Sequence, residues 1–233
     1  MLTLTPDEWE AIRLSLLVSF WGVGASLPLA VAVAMVLARV RFPGKSLFDA
    51  IVHLPLVLPP VVVGYFLLLV LGRKGPLGAW LESTFGVVVA FRWTGAAIAA
   101  AVMGFPLMVR AIRLSIEAID RRIESAAATL GASPGWVFAS VTLPLMLPGI
   151  ITGVLLSFAR SLGEFGATIT FVSNIPGETR TLPIAIYTYT QVPGGDLQAL
   201  RLSAVAVALS LGALLVSELL VRGATARAAG RDA

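Results

Sequence analysis

Long uncharged stretches alternate with short polar ones along this chain of 233 residues. Leu14 to Ala38 is a run of 25 residues without a charge, enough for a helix to cross a bilayer core of about 30 Å with some tilt. Pro28 and two glycines predict a bend in it, and Arg39, Arg41 and Lys45 follow, with Phe42-Pro43-Gly44 as the turn. Ala50 to Gly72 is the second span. Its three prolines, Pro55, Pro59 and Pro60, predict a break near its start, where freed backbone groups must face protein or a cavity rather than lipid. Gly72 to Arg92 reads as a loop or surface-lying segment, with Trp80 and Trp93 suited to a membrane interface. Trp93 to Val109 is the third span, predicted to continue helically through Arg110 and Arg113. Val141 to Ala159 is the fourth. Arg160 to Phe171, RSLGEFGATITF, continues it as a polar, glycine-rich stretch, and Ser173 to Asp196 is a long loop whose middle, Pro183 to Thr190, predicts a short helix lying at the surface. Leu197 to Val221 is the last span, with Arg201 and Glu218 near its ends, where they are expected to reach headgroups. The pattern gives five spans, and six if Arg160 to Ile186 re-enters the membrane.

Composition agrees with that pattern. Hydrophobic residues make up 58% of the chain, charged residues 13%, and the mean hydropathy is +0.92, where a soluble domain carries about 25% charged residues. The expected fold is an all-α polytopic helical bundle, a single transmembrane domain over residues 1–233 in contact with lipid. The absence of cysteine excludes disulfides, thiolate metal sites and a cysteine nucleophile. The sequence pI of about 10.1 follows from Lys and Arg gathered on cytoplasmic loops, not from a nucleic-acid surface. The first apolar run follows an acidic head (Asp7, Glu8, Glu10), so no cleavable signal is expected.

The stretch Glu124 to Gly153, ESAAATLGASPGWVFASVTLPLMLPGIITG, stands between two apolar spans. Its alanine-rich start is predicted helical. Gly131 ends that helix, and Ser133 caps a second short one with Pro134 at its first position and Trp136 outward. The pattern AAxxLGxS also opens DNA-binding helix-turn-helix units, but Pro134 to Pro144 has no Lys or Arg to meet phosphates, so no nucleic-acid partner is expected. The remaining reading is a cytoplasmic docking loop, about residues 120–140, offering a helix to a groove on a partner protein. With that loop inside, Arg39, Arg41, Lys45, Arg110, Arg113, Arg121, Arg122, Arg222, Arg227 and Arg231 lie inside, against Arg13, Arg73, Lys74, Arg92, Arg180 and Arg201 outside. That bias predicts an outer N-terminus and a cytoplasmic C-terminus.

Arg160 and Glu164 are four apart, so on a helix they share a face and can pair. An ionisable pair within a membrane segment reads either as part of a translocation path or as a structural lock between spans. With Ser161 and Thr168 they form the candidate polar lining. The lone His53 cannot build a metal site and reads as a local helix-start hydrogen bond. There is no G-x4-G-K-[ST] loop, so the chain is not expected to hydrolyse ATP alone, and no catalytic set is visible.

The docking stretch resembles the EAA loop of bacterial ABC-importer permeases, E-A-A-x3-G-x9-I-x-L-P. Counted from Gly131, its first positions fall on Ser125, Ala126 and Ala127, with the acid, Glu124, one residue earlier. Val141 takes the Ile position and Leu143-Pro144 the L-P. HLPLVLPPVVVGY, FPLMVRAIR, ARSLGEFGATITF and SNIPGETRTLPIAIYT are similar to bacterial molybdate-importer permeases. The resemblance implies a type I importer permease in the inner membrane, working as a homodimer. Two cytoplasmic ATPase subunits would bind ATP and Mg, so this chain holds no cofactor, and a periplasmic binding protein would deliver the oxyanion: molybdate, with tungstate a near isostere. It also implies alternating access, with Glu124, Ser125, Ala126, Ala127, Gly131, Ser133 and Trp136 at the ATPase contact. The alternatives are a sulfate/thiosulfate permease or a secondary transporter working alone, which would need no docking loop.

Overall fold

The computed structural model describes residues 4–229, and within the last helix it leaves out the side chains of residues 217–218 and 220–229. Helices α1 (Pro6–Arg39), α2 (Lys45–Val57), α3 (Pro60–Leu71), α4 (Pro76–Phe85) and α5 (Trp93–Glu117) fill the first half. Then come α6 (Arg121–Thr129) and α7 (Pro134–Val137), a π-turn at Phe138–Thr142, α8 (Leu143–Leu162), α9 (Gly166–Val172), α10 (Leu182–Thr190) and α11 (Asp196–Ala229). Among the described residues four pieces, α1, α5, Pro134–Leu162 and α11, are long and apolar enough to cross a membrane, and α2 with α3, bent by 113° to each other, form a broken span or a re-entrant loop. Helices α9 and α10 rise only about 10–14 Å and cannot cross it, so the described residues hold four spans, or five with α2 and α3 taken as one.

Small residues put α5 at the centre. Ala96, Ala99, Ala100 and Gly104 leave its surface flat enough for neighbouring backbones to lie close, as membrane helices do without a hydrophobic drive between them. Gly22 of α1 sits so near that a Cβ there would stand 2.7 Å from the Ala97 carbonyl oxygen, and a Cβ on Gly153 of α8 would stand 3.0 Å from the Met108 carbonyl oxygen. Accordingly 61% of the apolar stretch of α5 is buried, against 11% of that of α11, whose open face is left for lipid or another subunit.

Several elements depart from the sequence reading. The bend of the second span falls in its middle, at Leu58 and Pro59, both extended. A residue before proline is pushed out of the helical region, and Pro59-Pro60 imposes this twice in succession. The lone Pro55 stays inside α2. The surface segment before α5 contains α4, closed by Gly86 at φ +66°. The second short helix of the docking stretch is continuous with the fourth span, as one helix over Pro134–Leu162. Pro144 offers no N–H and crowds the turn before it. The π-turn widens the helix there, with the Leu143 N–H bonded to the Phe138 carbonyl. Helix α10 forms as expected, but Leu182, Ile184 and Ala185 are buried, and Ala11, Ile12 and Leu202 pack with it in a core cluster.

Arg201 makes a contact within the chain that its position in the pattern does not suggest. It lies 2.9 Å from Glu8, which is fully buried at the start of α1. The other Glu8 oxygen accepts the Thr5 N–H at 2.6 Å and so closes a capping box. The side chain of Glu218, the other residue expected to reach headgroups, lies outside the described residues, as do those of Arg222, Arg227 and Arg231.

Candidate functional site: the docking segment and the broken helices

Asp120 starts α6 by accepting the Arg122 N–H at 2.9 Å. The helix buries none of its residues. It ends where Gly131 takes φ +85° in open space, and the Gly131 and Ala132 N–H groups fold back on the Ala128 and Ala127 carbonyls. Ser133 then accepts the Trp136 N–H and Pro134 opens α7. The result is a surface step with Leu130 and Trp136 uncovered, 89% and 59% exposed. Ser125, Ala126, Gly131 and Ser133 are exposed on it and Ala127 is half-buried. Glu124 alone of the docking candidates turns inward. Its Oε1 takes hydrogen bonds from Arg39 at 3.0 Å and from the Thr142 hydroxyl at 2.7 Å.

The second set lies where the fourth span breaks. Helix α8 ends at Leu162 and α9 starts at Gly166, so Arg160 and Glu164 meet across a helix end and not along one helical face. Arg160 Nη1 stands 2.6 Å from Glu164 Oε2. The contact is ionic, without hydrogen-bond alignment at that oxygen. The other oxygen accepts the Ala167 N–H at 2.9 Å and caps α9. Glu164 is buried, while the Arg160 side chain keeps about a quarter of its surface open. Ser161 and Thr168 do not line an opening within this subunit. Both are buried, and Ser161 donates to the Ala100 carbonyl of α5.

The two broken spans meet each other. A Cβ on Gly64 of α3 would stand 2.5 Å from the Ala167 carbonyl oxygen, and one on Gly166 would stand 2.8 Å from Pro60 Cβ. The helix starts that follow the two breaks are thus packed backbone to backbone, a close approach of the kind small residues allow between membrane helices. The first break was visible in the sequence, from its prolines; the second was not, since Arg160 to Phe171 reads as a continuation of the fourth span. Nor was their contact, because nothing in local pattern says which two breaks are neighbours. Arg39, Thr142 and Gly64 are likewise residues that sequence reasoning missed. His53 makes the local contact expected of it: Nδ1 lies 2.9 Å from the Asp49 carbonyl oxygen and 3.2 Å from its carboxylate.

Residues 26–226 match the family described as binding-protein-dependent transport system inner membrane component. The chain belongs to that family. It is therefore a transport subunit of the inner membrane that crosses the bilayer several times. This permease is 59% identical to the molybdenum transport system permease protein ModB of Escherichia coli (strain K12), over 97% of this chain and 98% of that one. It is 40% identical to the sulfate transport system permease protein CysW of Synechococcus elongatus, over 76% of this chain and 62% of that one. The permease fold is similar to a crystal structure of a bacterial ABC transporter involved in the import of the acidic polysaccharide alginate. There the TM-score is 0.73 at 18% identity, over 94% of this chain and 80% of that one.

Proposed function

We propose that this permease carries molybdate, and tungstate as its near isostere, inward across the membrane by alternating access. The observation that carries the reading is full-length identity of 59% to a protein named for molybdenum transport, against 40% over a shorter stretch to one named for sulfate. Two copies of the chain form the pathway, each a single transmembrane unit with a docking segment at about 120–140. The exposed step of Leu130, Gly131, Ser133 and Trp136 meets a cytoplasmic ATPase, which binds ATP and Mg. A periplasmic binding protein delivers the oxyanion at the opposite end. The N-terminus is then outside and the C-terminus cytoplasmic, in keeping with the basic residues near the docking end. Arg160 and Glu164 border the path, their charges balanced so that a dianion meets a nearly neutral wall and is released.

Uptake into proteoliposomes holding this chain, the ATPase and the binding protein tests the reading. ATP-dependent accumulation of molybdate should persist in excess sulfate and be competed by tungstate. Accumulation abolished by sulfate would favour the sulfate permease alternative, and accumulation without the ATPase would favour a secondary transporter.

A further inference from the structure

A docking helix transmits force only if it is fixed to the spans, and α6 has little to fix it. It is nine residues long with none buried, shorter than the roughly 12–15 residues at which isolated helices become even marginally stable. One end joins α5 through Ala118, Ile119 and Asp120; the other leaves through the left-handed Gly131. Ser125 and Thr129 hydrogen-bond only within α6, to the Arg121 and Ala126 carbonyls. Glu124 is different. Its carboxylate joins the last residue of α1, Arg39, and the last residue of the π-turn, Thr142.

The pair is partly shielded, with 18% of the Arg39 and 22% of the Glu124 side-chain surface exposed, and Thr142 is buried. Charge-assisted hydrogen bonds in such a setting hold geometry better than surface ion pairs do. The placement also explains why the acid stands one residue before the first position of the E-A-A pattern. One residue is about 100° around a helix, and Ser125, at that position, is exposed while Glu124 faces the spans. We propose that Glu124, clamped by Arg39 and Thr142, is the positioning residue that carries movement of α6 into α1 and the start of α8. It is a strut within the permease and not a contact with the ATPase. This rests on the reading that an ATPase docks on this segment.

The test uses the complete reconstituted transporter and reads molybdate uptake per ATP hydrolysed, together with recovery of the ATPase on purification. Arg39→Gln and Thr142→Val should keep the ATPase bound and hydrolysing while uptake per ATP falls about ten-fold, the scale of a lost charged hydrogen bond. The chain has no cysteine, so Arg39→Cys with Glu124→Cys can be bridged by a short bifunctional thiol reagent. The reduced form should be uncoupled and the bridged form should regain coupling. An unchanged ratio in both single variants, a bridged form as uncoupled as the reduced one, or loss of the ATPase from Thr142→Val would each overturn the strut. Failure of the unaltered transporter to show ATP-dependent uptake would instead reject the transporter reading beneath it.

Discussion

The two oxygens of the Glu164 carboxylate face different partners, the Ala167 N–H at the start of α9 and the Arg160 guanidinium. The substitution Glu164→Gln separates these roles, because a glutamine oxygen can still accept from Ala167 while the charge is gone. Opposite unit charges about 4 Å apart attract by roughly 4 kcal/mol at an effective dielectric of 20, so the unpaired Arg160 would then hold an anionic substrate instead of passing it. Turnover in Glu164→Gln should fall about ten-fold, equivalent to about 1.4 kcal/mol on the barrier. Adding Arg160→Gln should recover part of that loss. Uptake and ATPase rates of the two single variants and the double variant decide the matter. A double variant as impaired as the sum of the singles would mean that the two residues do not act as a pair.

Where helices begin and end is a local matter, and much of it was legible. Gly131 has the left-handed φ its position suggested, Ser133 is a cap, and α5 runs past Arg110 and Arg113 to Glu117. The contacts between elements were not legible, since periodicity names a buried face without naming what covers it. The resemblance implies a partner contact for Glu124 although spacing puts Ser125 at the first position of the motif, and only the approach of Arg39, 85 residues away, turns Glu124 inward. The meeting of α3 and α9 is the same kind of fact. It yields a prediction at this scale: in Gly64→Val the new Cβ would strike the Ala167 backbone, which cannot swing aside as a side chain can. Overpacking of that sort costs about 1–3 kcal/mol, so thermal unfolding in detergent should occur at a lower temperature. Gly24→Val of α1, where a Cβ meets nothing within 4 Å, should leave it nearly unchanged.

Across the whole molecule, α1 connects the two ends of the bundle. Its first turn is tied to Arg201 of α11 through Glu8, and its last residue to the docking segment through Glu124. The loop after α9 must therefore lie at the end opposite α6 if α8 crosses the membrane once. In a chain without native cysteine, Ile175→Cys and Ala128→Cys, both at exposed positions, place one thiol at each end. An impermeant thiol reagent added to intact cells should label the first, and should label the second only after lysis. Labelling of both from one side would overturn the five-span arrangement. The contact between the two breaks also bears on how the chain is made. Pro60 and Gly166 are about a hundred residues apart in the sequence, and a ribosome adding ~5–20 residues per second needs about 5–20 s to travel between them. Through that interval the bent second span lacks the α9 backbone against which Pro60 and Gly64 pack. The second span therefore takes its final packed place only after the second half of the permease has been made.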